Sequence, residues 1–124
     1  MIKSLTTIIN IIIFKIMGYV YLLLSISPDN VETHKIGITT REPSIRVKEL
    51  QTGNPNEIRC LRKYKTTNYL KVEQWLHRKY SNNTTEAKNE WRTLTDEQVF
   101  SFLNDCKEAD ENISFLLQHN HFFD

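Results

Sequence analysis

Glu73, within the run KVEQWLHRKY at residues 71–80, is a carboxylate at the border of an apolar helix face. At 3.6 residues per turn, Val72, Leu76 and Tyr80 line that face, with Trp75 at its flank and Glu73 beside Tyr80. A bare charge is costly to bury, so this carboxylate must be paired, bound to a metal ion, or set at the lip of a cleft. Upstream, Tyr19 and Tyr21 stand two apart in YVYLLLS and share one face of a strand. Lys35 falls across the expected hairpin from them, and Arg46 lies on the first expected helix. The set comprises a phenol able to handle a proton, two cations and a half-buried acid. His77 follows Glu73 by one turn; such an i, i+4 pair reads as metal ligands, as a phosphate contact, or as an ordinary salt-bridged helix surface. His34, next to Lys35, is a further candidate for phosphate contact, whereas His119 and His121 suggest no role. Periodicity alone does not bring these groups together.

The elements that would have to do so are legible in outline. A first strand is expected over 18–25, ending at the turn signal Ser27-Pro28-Asp29-Asn30, and a second over 33–39, giving an antiparallel hairpin. Gly37 interrupts the second strand, as happens where the backbone must let another group come close. EPSIRVKEL opens a helix capped by Thr40 or Ser44, with Ile45, Val47 and Leu50 packing inward. A third strand follows over 57–65, with Ile58, Cys60 and Leu61 inward. A helix capped by Asn68 then runs to Tyr80, and a short extended piece, EWRTL, follows a polar loop. The last helix starts at a Thr95/Gln98 capping box and turns Val99, Phe100, Leu103 and Cys106 inward, leaving 109–124 as a loose helix or acidic, aromatic tail. The order implies an α+β domain over 17–108: a small antiparallel sheet of about three strands flanked by helices.

At 124 residues the chain fits one domain, and its two cysteines, Cys60 and Cys106, read as reduced core thiols. The net charge of +1 hides an uneven spread. Residues 33–80 hold eleven Lys/Arg against four Asp/Glu, while residues 81–124 hold three against nine. A basic middle favours a polyanionic partner. Residues 1–26 are apolar enough to suggest a membrane helix of roughly 20 residues, but Lys15 near the bilayer centre would cost about 3 kcal/mol. Asn10 and Gly18 also break the run, and Met17 would open the chain directly on its first strand. Residues 1–16 are therefore read as an upstream extension or a misassigned start. No stable membrane association is expected, and the protein is expected to be soluble in the cytoplasm or nucleus of its host cell.

The segment from Tyr19 to about Leu94 resembles the GIY-YIG nuclease superfamily, and within it the DNA-binding branch named after a phage T5 open reading frame. YVY (19–21) stands where the first signature tripeptide belongs and KIG (35–37) where the second does. KIGITTREPSIRVKELQTGNP is similar to that branch's signature, with Arg46 on its arginine; KVEQWLHRKY matches its Glu-x-x-x-His helix, and NEWRTL its closing stretch. The resemblance implies a metal-dependent DNA endonuclease in which Glu73 binds one Mg²⁺ or Mn²⁺ ion, a cation content with one carboxylate, water and phosphate. Tyr21 would deprotonate or orient the attacking water, and Arg46 would stabilise the crowded phosphorus centre. Lys35 occupies the place of the second signature tyrosine, where it would hold a phosphate and, with Arg46, favour the Tyr21 phenolate. His77, Tyr19 and His34 would support the site. Arg41, Lys48, Arg59, Arg62, Lys63, Lys65, Lys71, Arg78 and Lys79 are the candidate DNA contacts. The alternative is a catalytically weak or inactive DNA-binding or regulatory module of the same fold.

Overall fold

The computed structural model describes residues 16–81 and 91–120, so the expected extension over 1–16 lies almost wholly outside the described residues. Three strands, β1 (Gly18–Ile26), β2 (Glu32–Thr39) and β3 (Glu57–Thr66), form one sheet in the order β2-β1-β3. Three helices, α1 (Pro43–Gln51), α2 (Tyr69–Lys79) and α3 (Asp96–Asn120), complete an α+β fold. β1 pairs antiparallel with both neighbours and is the most apolar strand, as its central place requires. The β1–β2 turn closes with the Asn30 N–H on the Ser27 carbonyl, Asn30 taking the left-handed conformation that asparagine tolerates.

The two faces of β1 bury different clusters. Val20 and Leu22, with Ile36 of β2, pack against Val72 and Leu76 of α2, Tyr80 at its C-cap, and Phe102, Cys106, Ala109 and Ile113 of α3. Tyr21 and Leu23 point the other way, onto Ile58, Val47, Leu50 and Trp91. The chain must pass from β2 over β1 to reach β3, and α1 is that crossover, laid on the Tyr21 face. Gly18 serves the packing of α2: a Cβ there would come within 2.4 Å of the Tyr69 ring.

Several sequence expectations are corrected. Ile45 is exposed; it stands about 200° round the helix from Val47, so only one of the two faces the sheet. Glu42, not Thr40 or Ser44, takes the N-cap place of α1 without a side-chain cap. Asn68 holds the N-cap place of α2, but its side chain reaches Asp110 and Ser114 on α3 instead. The Thr95/Gln98 box forms reciprocally, at 2.9 and 3.1 Å. In α3, however, Phe100 and Leu103 are exposed and Phe102, Cys106, Ala109 and Ile113 face inward. That 4-3-4 spacing carries the helix through the expected loose stretch to Asn120. Polar ties fix α3 too: Asp105 accepts from Tyr80 and Ser101, and Asp110 from Tyr64 and Asn68. Cys106 is a buried thiol pushed up to about 12 by burial, but Cys60 is exposed rather than a core residue. Among the described residues no helix is long and apolar enough to cross a membrane.

β3 departs from simple alternation at a bulge. Leu22 pairs with Arg62 and Leu23 with Cys60, leaving Leu61 as the extra residue. Beyond it Lys63 and Lys65 lie opposite Tyr21 and Tyr19, whereas Arg59 lies opposite Leu24. Arg59 therefore does not share a face with Lys63 and Lys65.

Candidate functional site at the β2 edge

Register places Tyr21 opposite Gly37 and Leu23 opposite Lys35, so the phenol and the lysine share a face of the hairpin. The Tyr21 hydroxyl lies over Gly37, where an added Cβ would come within 2.4 Å of it. The glycine thus provides the seat in which the phenol rests. Val47 and Leu50 anchor α1 on the same face and bring Arg46, one residue from Val47, beside the Tyr21 hydroxyl. Arg46 and Arg41 both reach Glu49, at 3.7 and 2.8 Å, which steadies the two guanidinium groups along the helix.

Glu73 belongs to a helix packed on the opposite face, yet its charge acts on Tyr21. The route runs round the free edge of β2. There, residues 91–94 cross from one face to the other: Trp91 joins the Tyr21 cluster and Leu94 joins the opposite core. Between them Arg92 pairs with His34 through two backbone hydrogen bonds, of 2.6 and 2.8 Å, as an isolated antiparallel bridge. The Arg92 guanidinium lies 3.3 Å from His77 Nδ1, and His77 Nε2 lies 3.9 Å from the Glu73 carboxylate. Glu73 and His77 are thus a mostly buried pair, joined to the sheet edge through Arg92.

The electrostatics differ from expectation in one respect. Burial dominates the Tyr21 phenol and pushes it above its ordinary value; Arg46 opposes this by hydrogen bond and charge, while Glu73 adds to the rise. Burial, and then the Arg46 charge, holds Lys35 itself below its ordinary value. Its ammonium lies 5.9 Å from the Trp91 ring. Lys35 and Arg46 are thus two mutually repelling cations brought near the Tyr21 face of the sheet.

The other candidates separate clearly. Tyr19 shares the Tyr21 face, hydrogen-bonds Glu42, and carries Lys63 and Lys65 each 5.9 Å from its ring. Lys63 also pairs with Glu42. Lys48 is exposed in the last turn of α1, while Arg62 lies opposite Leu22. On α2, Lys71 and Arg78 project about 160° and 140° away from Glu73, so neither faces the cleft. Arg92 was not singled out from sequence, although it is the one arginine in the acidic stretch 81–124.

His34 is buried, and its Nδ1 accepts the Leu94 N–H at 3.2 Å, so it fastens the closing segment rather than meeting phosphate. Burial holds this imidazole below its ordinary value, against the pull of Glu32, Asp96 and the Arg92 backbone. Only the unfolded chain then takes up a proton near pH ~6.5, so stability is complete above that pH and falls below it, by at most about 1.4 kcal/mol per pH unit. Thermal melts between pH 7.5 and 5 are expected to show a falling Tm in the wild type and a flatter profile in His34→Asn.

A family model, the T5orf172 domain, matches residues 18–119 of the chain. The protein belongs to the T5orf172 domain family. This is a phage-type family of nuclease-like, DNA-binding character. The match takes in every strand and nearly all of α3, including Ala109 and Ile113, which sequence reading set aside as tail. No curated protein and no solved structure matches the chain.

Proposed function

We propose that this T5orf172 domain is a metal-dependent DNA endonuclease of the GIY-YIG type. One observation carries the reading: a buried phenol, seated on Gly37, hydrogen-bonds Arg46 and feels the charges of both Arg46 and Glu73. The reaction is hydrolysis. A water oxygen bonds to phosphorus, the bond to the 3′ oxygen breaks, and a proton returns to that oxygen. Arg46 and Lys35 hold the phosphodiester and meet its growing negative charge in a cleft where water screens poorly. Tyr21, neutral at pH 7, orients the attacking water by hydrogen bonding, and Arg46 lowers the cost of the phenolate, the only form of Tyr21 able to accept the water's proton.

The donor set fits a hard cation. Glu73 offers one carboxylate near the cleft, the number Mg²⁺ or Mn²⁺ commonly takes from a protein when water and phosphate fill the remaining positions. Among the described residues no group of three or more His, Cys, Asp or Glu forms a protein cage, so Glu73 is the residue that would hold the ion, with His77 steadying its carboxylate. Such an ion would neutralise the carboxylate beside the phenol and supply positive charge to the leaving oxygen. Supercoiled plasmid incubated with purified protein and Mg²⁺ or Mn²⁺ is expected to yield nicked circles, and none in EDTA. Intact plasmid under every metal, across duplex and single-stranded substrates, would overturn the reading.

The raised Tyr21 phenol and the lysine at position 35 favour a second reading, a module that binds DNA without cutting it. It predicts salt-sensitive binding that persists in EDTA.

A further inference from the structure

Glu42 holds the N-cap place of α1 but gives its helix no side-chain cap; its carboxylate is directed elsewhere. It pairs with Lys63 of β3, accepts a hydrogen bond from the Tyr19 hydroxyl, and feels the charge of Lys65. These three partners share one face of the sheet, since Lys65 stands opposite Tyr19 and Lys63 opposite Tyr21. Both ammonium groups lie 5.9 Å from the Tyr19 ring, so Lys63, rooted in the Tyr21 row, reaches the acid beside the Tyr19 row. Two ammonium groups and a phenol around one carboxylate leave the cluster cationic, and the Lys63–Glu42 pair is exposed on both sides. An exposed pair is weak and open to exchange, and a phosphodiester offers the same kind of anionic oxygens. A groove beside it, lined by Glu42, Ser44, Cys60 and Lys63, gives such a group room.

We infer that Tyr19, Lys63 and Lys65 form a second phosphate site of the DNA surface, filled in the free protein by the Glu42 carboxylate, which a backbone phosphate displaces. The inference rests on the nucleic-acid reading above and adds to it a built-in competitor for the substrate. Tyr19 and Tyr21 are two residues apart on one face of β1, about 7 Å along the strand. A DNA strand whose scissile phosphate lies at Tyr21 therefore brings another phosphate within reach of the Tyr19 row. Glu42 weakens that contact for any anion, and a polyanion held at several points overcomes it more readily than a single free one.

The test is binding of the full chain to a short duplex at several salt concentrations, in a Glu73→Gln background so that no strand is cut. Lys63→Gln is expected to weaken binding and to lower the slope of log Kd against log salt by about one. Glu42→Gln is expected to tighten binding about threefold at low salt, the scale on which an exposed pair competes. Glu57→Gln removes the same charge from a carboxylate paired with Arg59 at the other end of β3, and is expected to change little. In a Lys63→Gln protein, the gain from Glu42→Gln is expected to shrink, because the two side chains act through each other. A pair that only ties α1 to β3 would instead lower Tm in Glu42→Gln and leave affinity unchanged. No gain in Glu42→Gln, an equal gain in Glu57→Gln, or an unchanged slope in Lys63→Gln overturns the assignment and leaves the nuclease reading intact. A parent that does not bind DNA overturns both.

Discussion

Glu73→Gln is expected to abolish plasmid nicking, by roughly 10³-fold or more, while leaving DNA affinity unchanged or slightly higher. The size follows from what one carboxylate does in this cleft. If the cation that it holds supplies about 4 kcal/mol of charge stabilisation at the leaving oxygen, its loss costs three powers of ten in rate. The direction of the binding change follows from charge alone. Glutamine removes a negative charge that acts on Tyr21 together with Arg46 and stands across His77 from Arg92, and so cannot repel phosphate. Glutamine is also close to isosteric, and Glu73 sits beside His77 rather than inside the Val72–Leu76 core, so the fold has little to lose. Nicking is read on agarose gels and binding by fluorescence anisotropy, on the same preparation. Retention of full nicking would remove Glu73 from the chemistry; joint loss of nicking, binding and Tm would show that its role is structural. The outcome also divides the two functional readings. A binding-only module predicts no nicking before the substitution as well as after it.

The expectations that held share a physical character. The strands were legible because β1 is a continuous apolar run between turn signals, and a central strand buried on both faces leaves just such a run. The α2 face was legible because Val72, Leu76 and Tyr80 repeat at i, i+4, i+8 with charges elsewhere, and all three are buried. What failed was phase. On α3, Phe100, Phe102 and Leu103 offer two possible faces within one turn, and only tertiary packing shows that Phe102 is the one used. On β3, the Leu61 bulge reverses the alternation midway, and no residue type announces it. The site shows the same division. Tyr21 and Lys35 follow from hairpin register, but bringing Glu73 to Tyr21 requires a helix on the opposite face to meet the edge of β2. Nothing local encodes that meeting. Burial of the phenol, which outweighs the nearby arginine, is likewise a property of the assembled cleft and not of the sequence around Tyr21.

Gly37→Ala is expected to be the most damaging single-methyl change in the protein. Gly37 is not in the left-handed region; what demands glycine is the Tyr21 side chain, whose hydroxyl and ring carbons would lie 2.4 to 2.8 Å from an added Cβ. An exposed side chain could swing aside, but Tyr21 is only 3% exposed and packs against Leu23, Ile58 and the α1 residues Val47 and Leu50. Either β2 must shift away from β1 or the ring must move toward α1. Overpacking of this kind costs about 1–3 kcal/mol, enough to lower Tm by several degrees without unfolding the domain. The effect on activity is expected to be larger. Displacing the phenol by about 1 Å from its place beside Arg46 is the sort of error that costs about 10²-fold in rate. A double-mutant comparison separates the two effects. If the methyl acts through the phenol, Gly37→Ala added to Tyr21→Phe should cost stability again but little further activity, because the hydroxyl it displaces is already gone. Additive losses in nicking would instead mean that β2 itself, with Lys35 two residues away, is what the methyl disturbs.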